Sequence, residues 1–414
     1  MKTVSLAPLT RVEGHGRVEL TLRNNRLAEV RLALLESPRL FEGLVVGRSF
    51  TEVPALVCRI CALCTAVHRV AAAAALERAL SLEIPPAARL VRELLLLGGH
   101  IESHALHLFC LVLPDIRGRQ SVLELLQAGD AVAREGLALK GLGNRIQELA
   151  GGRVIHPVNV EVGGVLQLPD PRRLTELLAT LEVWQQRIEP LVEPFKDPGS
   201  YPPSTPAVGT RIAVAGEGPL SLQGESLRLA DGRRVPGDHY ASLLEELPVA
   251  HSHAKQTRHP GGTFLVGALA RLELNAGGVP GPVGDAGIFA NNAAQAMELS
   301  WAVARSRELA EQLLAAERDE LLQVAAVPRA GVGTAVVEAP RGLLIHHYLL
   351  DDLGRVVAAD IVTPTAINQA TIEAQLGLDL ADLADEAGIK DRAAQVVRAF
   401  DPCISCAVHV LEKR

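Results

Sequence analysis

Two short cysteine pairs lie near opposite ends of the chain. Each pair has two residues between its cysteines, and the four cysteines are Cys61, Cys64, Cys403 and Cys406. A histidine follows each pair within four residues, His68 after the first and His409 after the second. Thiolates are soft ligands that select nickel, zinc, copper(I) or iron. The spacing therefore predicts one four-thiolate metal site that closes only when the two chain ends meet.

Two simpler interpretations also fit paired Cys-x-x-Cys motifs. The usual one is a structural zinc site, but zinc ribbons keep both pairs inside one small module, whereas a large apolar body separates these pairs. A thioredoxin-like disulfide would use one pair. The spacing favours a buried, non-structural metal site over both. The remaining cysteines, Cys58 and Cys110, cannot assemble an iron–sulfur cluster by themselves, so redox chemistry would need a partner protein that carries clusters.

Composition excludes several classes of protein. The chain has 414 residues, 48% of them apolar, a net charge of −7 and 3% aromatic residues. An acidic balance without a basic run does not predict nucleic-acid binding. The N-terminus has no cleavage signal, and we expect no stretch with the roughly eighteen apolar residues that span a bilayer. The sequence thus predicts a soluble, cytoplasmic protein, although a subunit can be exported on a partner's signal.

Hydrophobic periodicity predicts a mainly α fold with smaller β parts (α+β). We expect one domain over 1–414, with a helical-bundle body, an N-terminal β-hairpin and a β-rich insertion at 198–281. The predicted helices are 62–80, 87–112, 120–149, 171–194, 285–326 and 391–399. The predicted strands are 17–22 and 27–32, with more strands in 331–362.

These elements position the residues that could do chemistry. The first cysteine pair falls at the start of an Ala-rich helix, where the helix dipole favours thiolate. Glu13 lies in a segment with two glycines just before the hairpin, which suggests that the backbone there runs close to another element. An ordinary loop is the alternative. His100, His104 and His107 share one long helix. They could ligate a metal, but packing or hydrogen bonding near the site is at least as good an interpretation.

Seven segments carry a resemblance to a known family. They run in chain order over nearly the whole sequence, and the paired cysteine motifs are the most specific. The segments are Thr10–Gly16, Pro38–Glu42 with Gly47-Arg48, Arg59–His68, Ser103-His104 with His107, Gly152-Arg153 with His156-Pro157, Glu338–Gly342 and Asp401–His409. The chain resembles the large, catalytic subunit of nickel–iron hydrogenases. The resemblance implies reversible heterolytic cleavage of dihydrogen to protons and electrons.

The resemblance also implies the metals and their ligands. Cys61 and Cys403 would be terminal ligands of nickel. Cys64 and Cys406 would bridge nickel to an iron that carries carbon monoxide and cyanide. A magnesium ion would tie down the C-terminus, and its ligands would be Glu42, the main-chain carbonyl near Ile361 and His409. Iron–sulfur clusters would reside only on a partner, the small subunit, which passes electrons to further subunits.

The resemblance assigns roles around the metals as well. Glu13 would be the first proton acceptor, and Arg341 would overhang the open coordination position. The groups around the ligands would be Arg59, His68, His104, Pro340 and Asp401. Both roles agree with physical expectation. Heterolysis needs a base for the proton, and the charge of a cation acts more strongly in a dry cavity than in water.

Departures from the family pattern bear on the subgroup. Ser103 stands where membrane-bound uptake enzymes carry an acid, and the length is compact. Both features resemble the cytoplasmic, cofactor-coupled branch, without membrane insertion. The tail 410–414 is shorter than most extensions that maturation proteins remove, and Ala62 replaces the usual glycine. The alternatives are a regulatory dihydrogen sensor with the same site, and a non-catalytic subunit with structural zinc at the four thiolates.

Overall fold

The computed structural model describes residues 2–408, except 24–25, 37–39, 217, 219, 260, 279–283, 285, 318–320 and 384. His409 and the tail 410–414 lie outside the described residues. So do Pro38 and Arg39 of one motif, and the turn at 24–25 of the predicted hairpin.

Helices form nearly half of the described chain. In chain order they are α1 (Phe41–Val45), α2 (Val53–Val57), α3 (Thr65–Leu80), α4 (Pro86–Ala105), α5 (Leu113–Ile116), α6 (Val122–Gln127), α7 (Ala131–Gly151), α8 (Pro171–Val192), α9 (Ala268–Asn275), α10 (Ala290–Ala315), α11 (Pro364–Asp379), α12 (Glu386–Ala399) and α13 (Ile404–Ala407). A π-helical segment, Leu106–Val112, joins α4 to α5 without a break. Such wide turns are frequent at functional sites.

The strands form several small sheets. They are β1 (Lys2–Leu6), β2 (Gly16–Arg23), β3 (Arg26–Leu34), β4 (Val160–Glu161), β5 (Gly164–Val165), β6 (Thr210–Val214), β7 (Gln223–Gly224), β8 (Ser226–Leu229), β9 (Arg234–Pro236), β10 (Glu245–Pro248), β11 (Lys255–Arg258), β12 (Phe264–Leu265), β13 (Gly331–Ala339), β14 (Gly342–Leu350) and β15 (Val356–Val362). Strands β1, β2 and β3 are antiparallel neighbours, and a second sheet has the order β15-β14-β13-β7.

The predicted fold class, mainly α with smaller β parts, is confirmed. The N-terminal hairpin differs in one respect, because β1 pairs along β2 and makes a three-stranded sheet. The single helix predicted at 120–149 is two helices, since Gly129 adopts a positive φ of 77° and the Asp130 side chain caps α7. The range 198–281 holds β6 to β12 and also α9. Its status as an insertion within one domain stays a prediction.

One described helical stretch, Pro86–Ile116, is long and apolar enough to cross a membrane by length and composition alone. Most residues in the apolar part of this stretch are buried inside the protein. A core helix of this kind passes the same test as a membrane span. Its apolar surface is covered by its neighbours, and it is part of the core of the helical body.

Two hydrophobic clusters meet where the chain ends meet. The larger one joins the helical body to β13 and β14 and includes all four paired cysteines. The second joins the N-terminal sheet to α11 and α12 and includes Ile404, between Cys403 and Cys406. Gly14 allows the contact between the two ends, because a Cβ there would lie 2.8 Å from the Ile404 Cβ. The sequence expectation of close backbone approach around Glu13 therefore agrees with the packing.

Candidate metal centre

The four paired cysteines converge on one point. The Cys61 Sγ lies 3.3 Å from the Cys403 Sγ, which lies 3.0 Å from the Cys406 Sγ. All four sulfur atoms, with that of Cys64, are within 4.8 Å of one another. None is in a disulfide, and all are buried. Four soft donors at this spacing can hold metal ions such as nickel, iron or zinc.

Helix α3 positions the first pair. Cys64 is the residue that precedes the helix, and Cys61 lies in the loop before it. The free N–H groups and the dipole of a helix N-terminus stabilise negative charge on a nearby thiolate. The sequence prediction of a helix start here is correct, with the start at Thr65 rather than at residue 62.

The N-terminal loop holds the second pair in place. The Glu13 carbonyl accepts a hydrogen bond from the Ile404 N–H, and a carboxylate oxygen of Glu13 accepts one from the Ser405 N–H, both at 3.1 Å. The Cys403 N–H donates to the Thr365 hydroxyl at 2.8 Å. Just before it, Asp401 adopts a positive φ of 50°, a conformation that short polar side chains tolerate. These contacts fix the C-terminal pair against residues far away in sequence.

The thiols differ in their ease of ionisation. Hydrogen bonds from Cys403 and Cys406, with help from the Arg341 charge, lower the pKa of Cys64 well below its usual value. Burial raises the pKa of Cys403 and of Cys406. Four thiolates cannot all be charged in a dry site without a compensating cation. The donor set therefore suits bound metal ions, which neutralise the charge.

Arg341 brings a fixed positive charge to the cluster. Its Nη1 lies 3.6 Å from the Cys64 Sγ, and its Nε donates to the Asp401 carboxylate at 3.2 Å. Burial opposes this charge, but Asp401 and the nearby thiolates outweigh it and raise the pKa of Arg341 well above its usual value. Gln295 donates to the other Asp401 oxygen at 3.1 Å. Arg341 is therefore charged and held over one edge of the cysteine cluster.

A buried ionic network supports the turn that carries Arg341. The Arg271 guanidinium, fully buried on α9, donates to both oxygens of Glu298 at 2.7 Å and to Glu338 at 2.9 Å. It also donates to the carbonyls of Ala339 and Pro340, at 3.0 and 3.1 Å. This network was not predicted from the sequence, because Arg271 and Glu298 are each one of several charged residues on α9 and α10.

Two histidines of the long helix connect to these networks. The His104 Nε2 lies 2.8 Å from a Glu298 oxygen. His107, on the π-helical segment, contacts the Gln295 oxygen at 2.6 Å and the Arg398 carbonyl at 2.7 Å. Both side chains therefore support groups that hold Arg341 and Asp401.

Glu13 links the cluster to the surface. The Cys403 thiol donates to a Glu13 carboxylate oxygen at 3.1 Å. Unlike the cysteines, Glu13 is only partly buried. A carboxylate in contact with a buried thiol on one side and near solvent on the other can carry protons between them.

The predicted magnesium ligands are partly described. Glu42 is buried, and its carboxylate accepts a hydrogen bond from the Ile361 N–H at 2.9 Å. Burial raises the pKa of Glu42 to about 7, although Lys255, 3.8 Å away, opposes the shift. Glu42 and Ile361 are thus neighbours, as a shared ion requires. The third predicted ligand, His409, lies outside the described residues.

Arg59 and His68 differ in their placement. Arg59 is exposed and donates to the Ala55 carbonyl one turn earlier, so the structure does not place it among the buried groups around the sulfurs. His68 is buried in the first turn of α3, four residues after Cys64. Pro340 precedes Arg341 and contributes its carbonyl to the Arg271 network.

Comparison with known proteins identifies the family. The sequence model described as nickel-dependent hydrogenase matches residues 39–129 and 286–409, and a model described as HoxL-like matches 3–36. The chain belongs to the nickel-dependent hydrogenase family. It is 36% identical to the alpha subunit of sulfhydrogenase 2 of Pyrococcus furiosus over 99% of both chains. It is 31% identical to a chain of the vhu F420-non-reducing hydrogenase of Methanococcus voltae, over 90% of this protein and 97% of the relative.

Solved structures agree with this assignment. The crystal structure of an NAD⁺-reducing [NiFe]-hydrogenase in the H2-reduced state matches this nickel-dependent hydrogenase with a TM-score of 0.85 and 27% identity, over 99% of this chain and 100% of that chain. The predicted identity, a catalytic large subunit of a soluble nickel–iron hydrogenase, is confirmed. Nickel and iron as the metals of the four-cysteine site are supported by the family and by the sulfur cluster.

Proposed function

We propose that this nickel-dependent hydrogenase cleaves dihydrogen reversibly and heterolytically, and that it does so in the cytoplasm. The electrons pass to an iron–sulfur small subunit. One observation carries the proposal: four buried, free thiols within 4.8 Å have a guanidinium 3.6 Å from one sulfur and a carboxylate 3.1 Å from another. A structural zinc site needs neither of these charged groups.

The cysteine residues fit a binuclear centre. Cys61 and Cys403 are proposed as terminal nickel ligands, and Cys64 and Cys406 as bridges to an iron with carbon monoxide and cyanide ligands. When bound, the pair of metals supplies the Lewis acid and the redox couple for splitting dihydrogen. The sequence separation of the two pairs also has a consequence. The C-terminal segment must dock on the N-terminal loop before all four sulfurs can meet.

Glu13 acts as the proton acceptor. Its Oε2 accepts the hydrogen bond of the Cys403 thiol, so a proton on this sulfur needs to move only along the existing contact. The same oxygen is held by the Ser405 N–H, which keeps it in line with the sulfur. From the carboxylate, the proton leaves towards solvent, because Glu13 is partly exposed.

Arg341 stabilises charge at the site. It is kept in place by Asp401 and, through the preceding carbonyls, by Arg271. A cation held in a dry cavity needs no rearrangement when charge develops beside it. Its role is therefore to favour the charged species that form when dihydrogen is split.

A magnesium ion at Glu42 is part of the proposal. The buried Glu42 carboxylate would supply oxygen ligands, which magnesium prefers, and the Ile361 backbone lies beside it. Without an ion, burial holds the pKa of Glu42 near 7. An ion bound there with His409 would tie down the C-terminus directly after the last cysteine.

Partner proteins follow from the relatives. Those relatives are named as subunits of hydrogenases, among them the beta subunit of the NAD-reducing hydrogenase HoxS of Cupriavidus necator. The proposed first electron acceptor is an iron–sulfur small subunit, followed by further electron-transfer subunits, and maturation proteins insert the metals. A regulatory dihydrogen sensor with the same centre is the second candidate, and slow turnover without a coupled cofactor would favour it.

The test uses the protein purified anaerobically with its partner. Metal analysis should find nickel and iron, and the complex should reduce an artificial dye with dihydrogen. Zinc in place of nickel and iron, with no dye reduction, would refute the proposal. The Arg305→Met variant, which changes a partly exposed arginine away from the thiol cluster, serves as a control and should leave both results unchanged.

A further inference from the structure

A buried chain of three side chains runs from sheet to helix near the cysteines. The Tyr348 hydroxyl lies 2.7 Å from the His346 Nδ1, and the His346 Nε2 lies 3.0 Å from the His68 Nδ1. All three residues are at most 1% exposed. The dihydrogen chemistry proposed above does not use His346 or Tyr348, so their contact with His68 needs its own explanation.

The packing of α3 on the sheet creates this chain. His346 and Tyr348 are two residues apart on β14, so their side chains share one face. On the neighbouring strand, Gly331 and Gly333 let α3 approach closely, because a Cβ at either position would lie 2.0 Å from a helix carbonyl oxygen. The close approach brings His68, in the first turn of α3, within hydrogen-bond distance of β14.

The hydroxyl sets the direction of the hydrogen bonds. Burial, together with the charge of Glu42, raises the pKa of Tyr348 well above its usual value, so the hydroxyl keeps its proton. Among the residues that the structure describes, its one hydrogen-bond partner is the His346 Nδ1. A buried O–H left without an acceptor costs roughly 1–3 kcal/mol. The Tyr348 O–H therefore donates to the His346 Nδ1.

The protonation of both rings follows from this direction. A neutral imidazole carries its proton on one nitrogen and accepts on the other. Because the His346 Nδ1 accepts, its proton is on Nε2, and this N–H donates to the His68 Nδ1. By the same rule, His68 carries its proton on Nε2. In the opposite direction, the buried Tyr348 O–H would have no acceptor.

We propose that Tyr348 and His346 are positioning residues that hold His68 as the Nε2–H tautomer. His68 then presents an N–H donor one helical turn after Cys64. A donor in this region stabilises negative charge on sulfur and tunes a metal held by it. This consequence rests on the proposed binuclear centre, whereas the tautomer itself depends only on residues of this chain.

The tautomer can be measured in the full chain without metals. Histidine ring nitrogens labelled with ¹⁵N report by NMR which nitrogen is protonated, and His68→Gln assigns the signal. Wild-type His68 should show the Nε2–H form alone. In Tyr348→Phe, it should become a mixture of both forms, whereas Tyr201→Phe, which removes a mostly buried hydroxyl bonded to the Phe195 carbonyl, should change nothing. An Nδ1–H tautomer in the wild type would overturn the proposal, even if Tyr348→Phe failed to fold.

A second readout uses the assembled enzyme. The infrared bands of metal-bound carbon monoxide and cyanide should shift in Tyr348→Phe and in His68→Gln. In the double variant, the shift should equal that of His68→Gln alone, because Tyr348 acts through His68. Additive shifts, or an unchanged spectrum in Tyr348→Phe, would contradict the proposal. A wild-type spectrum without bands would instead refute the proposed centre, and the NMR result would still decide the tautomer.

Discussion

The substitution Arg271→Met tests the network beneath the Arg341 turn. It removes five hydrogen bonds and leaves two fully buried carboxylates, Glu298 and Glu338, without their cation. Removing one partner of a buried ion pair costs about 3–5 kcal/mol. In a chain of this size, that corresponds to a fall of roughly 3–6 °C in melting temperature. Dihydrogen oxidation should also decrease, because the carbonyls before Arg341 lose their support.

The pH dependence makes this prediction sharper. Burial opposes ionisation of Glu298, but Arg271 outweighs it and lowers the pKa of Glu298 to about 2. In the wild type, this carboxylate therefore adds stability above its unfolded pKa of 4.5, and the gain is lost as pH falls towards 2. Without Arg271, burial dominates and the folded pKa rises above 4.5, so stability is lost as pH rises through it. The difference in free energy of unfolding between wild type and variant should then become smaller as pH falls from 8 to 5.

The assay is thermal melting of the metal-free chain at several pH values and one scan rate. Arg305→Met provides a matched control, because Arg305 also pairs with a carboxylate, Glu93, but is partly exposed. Its loss should cost at most about 1 kcal/mol. The triple variant Arg271→Met, Glu298→Gln, Glu338→Gln should regain much of the stability, since no buried charge remains unpaired. If Arg271→Met lost no more stability than Arg305→Met, or if its loss did not depend on pH, Arg271 would not compensate the two buried carboxylates.

Three further substitutions test separate parts of the account. Glu13→Gln should lower turnover about 100-fold or more while nickel and iron stay bound; loss of the metals instead would make Glu13 structural. Cys406→Ser should abolish the binuclear centre, and retained activity with both metals would contradict the bridging role. In His100→Leu, the free energy of unfolding should depend less on pH below 6.5 than it does in the wild type. Burial lowers the pKa of His100 to about 3 from 6.5, so wild-type stability is lost as pH falls below 6.5. The free energy of unfolding of the wild type should fall by about 2 kcal/mol between pH 7 and pH 5 because of His100. The same dependence on pH in the variant would contradict this role of His100.

The cysteine site was predictable from the sequence because its ligands are chemically distinctive. Paired thiols followed by histidines have few uses, and the Ala-rich run after Cys64 placed the first pair at a helix start. Strands with clear alternation, such as β2, β3 and β14, were also within reach. The short strand β1 was not predicted, since its stability comes from pairing along β2 rather than from its own pattern.

Tertiary placement of charged residues was beyond sequence reasoning. Arg59 and Arg341 both belong to motifs of the family, yet one is exposed and the other is buried against Cys64. Arg271 and Glu298 lie on separate helices, and each charge is tolerable only because the other is present. Nothing local in either helix specifies that pairing. The same limit applies to the chain from Tyr348 to His68, which depends on how closely α3 packs against the sheet.

An infrared spectrum of the purified protein with its partner would show whether the four thiols hold a nickel–iron centre. If the four thiols hold a nickel–iron centre whose iron carries carbon monoxide and cyanide, bands should appear in the region of metal-bound carbon monoxide and cyanide stretches. Cys406→Ser should lack these bands, and Arg305→Met should retain them. A spectrum without bands from protein that contains zinc at the four cysteines would contradict the account.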